Sequence, residues 1–131
     1  MQIVHVMTKH PETIRPNDTL AAAKEMMEAG EFRGLTVTVD GHVVGMLTER
    51  DLHGHGGYLN STRVDAAMKS PVITVHTTTS VEEAAHLMLK HKISGLPVVD
   101  DGKLVGIVTT SDMLMALLGV IDTIQRKGVS A

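Results

Sequence analysis

Residues 34–51 read Gly-Leu-Thr-Val-Thr-Val-Asp-Gly-His-Val-Val-Gly-Met-Leu-Thr-Glu-Arg-Asp, and residues 95–112 read Gly-Leu-Pro-Val-Val-Asp-Asp-Gly-Lys-Leu-Val-Gly-Ile-Val-Thr-Thr-Ser-Asp. The two stretches lie at a constant offset of 61 residues, and nine of their eighteen pairs are identical. The same offset pairs Met7 with Met68, Thr13 with Thr74, Ala23 with Ala84 and Met27 with Met88. The repeat therefore fills nearly the whole chain, and two copies of one unit must explain both fold and function.

The first helix of each copy is predicted from apolar residues at helical spacing. In the first copy this stripe follows Asp18 or Thr19, either of which can cap the helix, and Gly30 marks its end. In the second copy the equivalent helix runs from about Ser80 to Lys90. A short extended segment precedes each helix, so each copy begins with a strand followed by a helix.

Two β-branched runs follow each helix and are separated by Asp40-Gly41 or Asp101-Gly102, which predicts a hairpin in each copy. The second strand then runs into Thr-x-x-Asp, a helix-start pattern, after Thr48 and after Thr109. The unit is thus strand, helix, strand, strand, helix.

The last helices of the two copies are predicted to differ in length. A glycine-rich loop from about Gly54 to Asn60 ends the first one. The second continues with an apolar face formed by Leu114, Leu117, Leu118, Ile121 and Ile124. This face is a candidate for dimerisation, and a helix that folds back on its own core is an equally compatible interpretation.

The composition limits the functional classes. A chain of 131 residues and 14.1 kDa can bury one modest core, so the copies, residues 1–62 and 63–131, are expected to form one globular body. The net charge of −3, with one Phe and one Tyr, argues against a nucleic-acid partner. No apolar run is long enough for a membrane span and no signal pattern opens the chain, so a cytoplasmic location is expected.

The residues that carry chemistry are Thr48 with Asp51 and Thr109 with Asp112. As structure, each pair is a capping box that begins a helix. As function, a helix start offers backbone N–H groups to a phosphate while the carboxylate accepts ribose hydroxyls. Gly45 and Gly106 precede each threonine by three residues, and Gly34 and Gly95 open the preceding strands. They are expected to let a ligand approach the backbone.

Both copies resemble the CBS motif, and the pair resembles a Bateman module, the tandem that binds adenosine-containing ligands in regulatory proteins. The resemblance covers roughly residues 5 to 122. It rests on the stretch at 91 to 100, on the glycine-strand-Thr-x-x-Asp endings, and on Val6-Met7-Thr8 with Ala67-Met68-Lys69. It implies an α/β (α+β) fold of two tandem β-α-β-β-α motifs packed sheet to sheet with pseudo-twofold symmetry, with one cleft for each aspartate.

Residue by residue, the resemblance implies that Asp51 and Asp112 bind ribose hydroxyls and that Thr48 and Thr109 lie near phosphate. It also implies base-binding walls of aliphatic side chains and backbone, formed by Thr13, Ile14, Arg33, Gly34, Leu35 and Thr36, and by Thr74, Val75, Ser94, Gly95, Leu96 and Pro97. Arg50 corresponds to Ser111, so unequal occupancy of the two clefts is expected. Further candidate cations are Arg15, Arg33, Arg63, Lys69 and His76, although isolated basic residues are usually solvated.

The predicted function is a sensor module that binds AMP, ADP, ATP or a related adenosyl ligand between the repeats and alters their packing and a partner's activity without chemistry. No cofactor or metal is expected, and His53 and His55 are interpreted as loop histidines. The expected partners are an adenine nucleotide, a second copy in a homodimer and an unknown regulated protein. The alternatives are a structural dimerisation module with no nucleotide and an enzyme that processes a nucleotide.

Overall fold

A computed structural model describes residues 1–128 as a mixed α+β fold, so residues 129–131 of the predicted second copy lie outside the description. Its helices α1 to α5 lie at Leu20–Gly30, Glu49–His53, Val64–Ala67, Val81–His91 and Thr110–Arg126, after a 3-10 helix at Ile3–His5. Its strands β1 to β7 lie at Thr8–Lys9, Thr13–Ile14, Gly34–Val39, His42–Thr48, Val75–His76, Gly95–Asp100 and Lys103–Thr109. The predicted order of strand, helix, strand, strand and helix occurs in both copies, which confirms the fold class.

The compact units of the structure are interleaved along the chain. One unit contains Pro11–Ile73 with Asp101–Leu104, and the other contains Met1–His10, Thr74–Asp100 and the chain from Val105 onward. We call them the Asp51 unit and the Asp112 unit. We call residues 2–9 and 63–70, which correspond under the offset of 61, the leading segments. Each leading segment thus folds into the unit built from the body of the other copy.

In the Asp51 unit, β2 lies parallel to β3, and β3 forms an antiparallel hairpin with β4. The turn residues Asp40 and Gly41 have φ of 50° and 82°, the paired positive values that a two-residue hairpin turn requires. The Asp-Gly prediction is therefore confirmed. On β4, Met46 exchanges two backbone hydrogen bonds with Lys69 of the leading segment, at 3.0 and 2.9 Å.

Helix α1 covers this sheet. The Thr19 hydroxyl accepts a hydrogen bond from the backbone N–H of Ala22 at 3.2 Å, so Thr19 is the cap. Gly30 is the last helical residue, and Glu31 takes the left-handed conformation, with φ of 56°, that ends the helix. The prediction that the helix ends at Gly30 is therefore confirmed, and the left-handed residue that follows is Glu31. The core of the unit is formed by Ile14, Leu20, Ala23, Met27, Leu35, Val37, Leu47, Leu52 and Val64.

In the Asp112 unit, β5 lies parallel to β6, β6 neighbours β7, and β1 pairs antiparallel with β7. The register places Thr8 opposite Ile107 and Lys9 opposite Gly106. Helix α4 is capped by Ser80, whose hydroxyl accepts from the backbone N–H of Glu83 at 3.0 Å. The buried apolar residues of this unit are Ile3, Val75, Ala84, Met88, Leu96, Val98, Val99 and Val108.

The last helices differ as predicted: α2 has 5 residues and α5 has 17. No side chain of α5 is buried, and its apolar residues Leu114, Leu117, Leu118 and Ile121 are 41 to 64% exposed. Within residues 1–128, no helix combines the length and apolar character needed to cross a bilayer. The cytoplasmic location stays a prediction.

Candidate functional site

The Asp51 carboxylate lies at the start of α2 with its two oxygens in different surroundings. Oδ2 accepts hydrogen bonds from the Thr48 backbone N–H at 2.8 Å and from the Thr48 hydroxyl at 3.0 Å. Oδ1 lies 3.8 Å from Nζ of Lys69, on the leading segment. The Asp51 side chain is 10% exposed, whereas that of Lys69 is 67% exposed. One oxygen therefore holds the helix start, and the other faces an exposed cation.

Asp112 repeats this arrangement at the start of α5. Oδ2 accepts from the Thr109 backbone N–H at 2.9 Å and from its hydroxyl at 3.1 Å, and the Asp112 N–H donates to that hydroxyl at 3.3 Å. Oδ1 accepts from the Thr8 hydroxyl at 3.1 Å. Thr8 and Lys69 correspond under the repeat offset, so each carboxylate meets the equivalent position of a leading segment.

The capping-box interpretation is thus confirmed at both sites, and it constrains the chemistry. A threonine hydroxyl has one proton, and here Thr48 and Thr109 direct it to a carboxylate. Neither hydroxyl can donate to a phosphate while that bond stands. Sequence reasoning named Lys69 as a candidate cation and gave Thr8 no role, although the repeat offset already paired them.

The space beside Gly45 and Gly106 is filled by methionines of the leading segments. A Cβ on Gly45 would collide with Sδ of Met68, and a Cβ on Gly106 would lie 2.6 Å from Sδ of Met7. The expectation that these glycines leave room for a ligand was therefore wrong. The missing side chains instead let each leading segment pack directly on a strand.

Several predicted wall residues contribute their side chains to the core. The buried positions are Ile14, Leu35, Thr36, Val75, Leu96 and Pro97. They can meet a ligand only through backbone atoms. Thr13, Arg33, Thr74, Ser94, Arg50 and Ser111 are exposed, and Gly34 and Gly95 are half-buried.

The backbone next to each aspartate joins a predicted wall to a helix start. The carbonyl of Arg33 accepts from the N–H of Glu49 at 2.8 Å, and the carbonyl of Ser94 accepts from the N–H of Thr110 at 3.0 Å. These equivalent bonds hold the start of β3 or β6 against the helix that carries the aspartate. The structure therefore brings the predicted segments at 33–34 and 94–95 together with Asp51 and Asp112.

Other predicted cations are paired with neighbours. Arg15 Nη2 lies 3.7 Å from the Asp18 carboxylate. Arg63 makes two hydrogen bonds to Asp65, at 3.1 and 2.8 Å. The hydrogen bond from Arg63 lowers the pKa of the Asp65 carboxyl and raises the pKa of Arg63 itself. Of these basic residues, the structure places only Lys69 beside a candidate ligand carboxylate.

The Asp51 unit also contains a cavity of about 580 Å³ between α1, α2 and the loop after α2. Its apolar lining is Met27, Phe32, Leu52 and Leu59. Arg33 is the one predicted ligand residue that lines it, and Asp51 does not. This cavity is therefore separate from the threonine-aspartate site. Among residues 1–128, no three His, Cys, Asp or Glu side chains cluster as metal ligands would, and His53 is exposed.

Comparison with known sequences identifies the repeats. The CBS domain family matches residues 3–55 and 64–119. The CBS domain-containing protein YhcV of Bacillus subtilis is 34% identical over 113 residues, which are 82% of this chain and 79% of that protein. Inosine-5'-monophosphate dehydrogenase of Helicobacter pylori is 38% identical over 105 residues, which are 79% of this chain but 22% of the dehydrogenase.

Solved structures agree with this result. The Vibrio cholerae protein AcuB superposes with a TM-score of 0.87 at 30% identity, covering 97% of this chain and 96% of that one. The CBS domain pair of MJ0100, in complex with 5'-methylthioadenosine and S-adenosyl-L-methionine, has a TM-score of 0.83 at 30% identity, covering 91% and 97%. CBSX2 in complex with AMP has a TM-score of 0.84 at 28% identity, covering 91% and 97%.

Proposed function

The chain belongs to the CBS domain family, and on that premise we propose that it is a regulatory module that binds AMP, ADP, ATP or a related adenosyl ligand at Asp51 and Asp112. The solved complexes of similar chains with AMP and with two adenosyl thioether compounds support this class of ligand. The ligand acts as a signal and not as a cofactor, and the signal reaches a separate regulated protein.

The observation that carries the proposal is how the two oxygens of each carboxylate are bonded. In each unit, Oδ2 is used by the helix cap, while Oδ1 meets a side chain that a ligand can displace. A ribose hydroxyl donating to Oδ1 makes a hydrogen bond to a charged group, which stabilises a complex by roughly 1.5 to 3 kcal/mol. The same arrangement in both repeats provides two sites of one chemical type.

The response follows from what the ribose replaces. When a ligand takes Oδ1 of Asp51 or Asp112, Lys69 or Thr8 loses its side-chain partner, while the backbone pairing of the leading segment with the strand remains. A ligand shifts such an equilibrium only by its differential affinity for the two arrangements. We therefore propose that the leading segments report occupancy to the regulated protein.

The proposal includes no chemical step. Each carboxylate is held in a cap within its own unit, so neither is poised as a general base for a bound nucleotide. The match to the dehydrogenase covers 22% of that enzyme, so its activity gives no argument for catalysis by this chain.

We also propose that the protein is a homodimer joined by α5. The exposed residues Leu114, Leu117 and Ile121 follow spacings of three and four, and Ile124 continues the series. Apolar residues at alternating spacings of three and four form the contact line, or seam, between two packed helices. A second copy supplies an identical helix, which makes a self-complementary contact.

Isothermal titration calorimetry with AMP tests the ligand proposal. Asp51→Asn and Asp112→Asn keep the size of the side chain and remove its charge, and each should weaken binding at its own site about tenfold or more. Thr19→Ala and Ser80→Ala are matched controls, because they remove a helix cap from the same two units, at a cost of about 1 kcal/mol in stability, without touching either carboxylate.

The controls should bind AMP as the wild type does. If the wild type binds none of AMP, ADP, ATP or adenosine, the chain is a structural module and the proposal is wrong. If both asparagine variants bind with unchanged affinity, the carboxylates are not the ribose site.

A further inference from the structure

The two sites carry different charge at equivalent positions. Lys69 stands beside Asp51 where Thr8 stands beside Asp112, and Arg50 precedes Asp51 where Ser111 precedes Asp112. The Asp51 site therefore has two cations at the positions where the Asp112 site has two hydroxyls. At both sites the aspartate accepts from the backbone N–H and from the hydroxyl of its threonine, so the charge of the neighbouring side chains is what distinguishes the two carboxylates.

The positions of the two leading-segment side chains are fixed by their backbones. Lys69 is held by its pair of hydrogen bonds with Met46, and Thr8 is held opposite Ile107 in the β1–β7 ladder. Lys9 does not supply the missing cation, because consecutive strand residues point to opposite faces and Thr8 occupies the face toward Asp112.

The acidic residue that precedes Arg50, Glu49, lines a different feature of the Asp51 unit. Glu49 lines the cavity between α1 and α2, and Asp51 does not line that cavity. The hydroxyls of Thr48 and Thr109 are both committed to their carboxylates. A phosphate beside Asp51 thus meets the ammonium group of Lys69, with Arg50 one residue before the carboxylate, whereas a phosphate beside Asp112 has only the anionic carboxylate as its charged neighbour among these positions.

We propose that the two sites select ligands by charge: the Asp51 site takes adenosyl ligands that carry a 5'-phosphate, and the Asp112 site takes adenosyl ligands without one. This inference rests on the proposed function and specifies the ligand class of each site. Lys69 with Arg50, and Thr8 with Ser111, are its specificity-determining residues. The protein consequently reads the ratio of phosphorylated to unphosphorylated adenosyl compounds, because each class fills a different unit.

The test measures AMP and adenosine affinities by calorimetry in two single-site proteins. Asp112→Asn leaves the Asp51 site, which should bind AMP about ten- to a hundredfold tighter than adenosine, the range for hydrogen bonds to a charged group. Asp51→Asn leaves the Asp112 site, which should bind adenosine at least as tightly as AMP. The AMP affinity of the Asp51 site should also fall with added KCl, because salt screens exposed charges.

A reciprocal exchange separates charge from pocket shape. Adding Lys69→Thr and Arg50→Ser to the Asp112→Asn protein should abolish its preference for AMP. Adding Thr8→Lys and Ser111→Arg to the Asp51→Asn protein should create that preference. Equal AMP-to-adenosine ratios at the two sites, or a ratio that the exchange leaves unchanged, overturn this inference while the adenosyl-binding function stands. Absence of binding by both compounds to the wild type overturns the function and the inference together.

Discussion

Alanine at Gly106 should destabilise the protein more than alanine at the equivalent Gly45. A Cβ at Gly106 lies 2.9 Å from the backbone carbonyl oxygen of Thr8 as well as 2.6 Å from Met7. The three atoms nearest to a Cβ at Gly45 all belong to the flexible Met68 side chain. Because backbone atoms can yield only if β1 moves away from β7, the two equivalent substitutions have different consequences.

The magnitudes follow from these contacts. At Gly45, turning Met68 into a less favoured rotamer costs about 0.5 to 1.5 kcal/mol. The loss of unfolded-chain entropy when Gly becomes Ala returns about 0.4 to 1 kcal/mol, so the net change is close to zero. At Gly106, overpacking against backbone costs about 1 to 3 kcal/mol, which leaves a net destabilisation of about 1 to 2 kcal/mol.

Urea unfolding followed by circular dichroism measures both variants. With a slope of about 2 kcal/mol per molar, Gly106→Ala should lower the midpoint by about 0.5 to 1 M, and Gly45→Ala should leave it nearly unchanged. Met7→Ala added to Gly106→Ala should not restore the midpoint, since the clash with the Thr8 carbonyl remains. Equal losses for the two glycine variants, or full restoration by Met7→Ala, would refute the reasoning.

Three further predictions concern the interface, the core and pH. Leu117→Glu should convert the dimer to a monomer in analytical ultracentrifugation, because it places a charge in the apolar contact of α5. Met115 is 73% exposed and lies outside that contact, so Met115→Glu should leave the protein dimeric. A monomeric wild type would contradict the dimer proposal. Leu35→Ala, at a fully buried position, should lower the free energy of unfolding by about 2 to 5 kcal/mol, and a loss below 1 kcal/mol would show that the site is not core. Because Arg63 lowers the pKa of Asp65, their pair stabilises the fold above about pH 4, the unfolded value, and this contribution disappears as the pH falls through the lowered pKa. The stability difference between wild type and Asp65→Asn should therefore shrink from pH 6 to pH 3, and a constant difference would contradict the pairing.

The features predicted from sequence are those with local causes. Asp40-Gly41 specifies a turn because both residues must adopt positive φ, and Thr48 with Asp51 specifies a helix start because their spacing closes a cap within one turn. Such signals lie within a few residues, so the sequence reveals them. The position of the aspartates at the two helix starts followed from the same patterns.

The contacts of the leading segments could not be predicted in this way. Thr8 and Asp112 are 104 residues apart, and local periodicity carries no information about such a pairing. The repeat offset shows which positions correspond, but not that each segment joins the body of the other copy. For the same reason, the sequence could not distinguish a glycine that admits a ligand from one such as Gly45 that admits a methionine.

The interleaving of the two units has a consequence for any half-molecule. A fragment truncated after residue 62 would retain its own leading segment, residues 2–9, but not the strand β7 with which that segment pairs. Its β4 would lose the backbone pairing with Lys69. Two such fragments could replace the missing contacts only by exchanging their leading segments, in an association that depends on concentration. Duplication within one polypeptide makes that exchange intramolecular, so the leading segment that each unit needs is always present at high effective concentration.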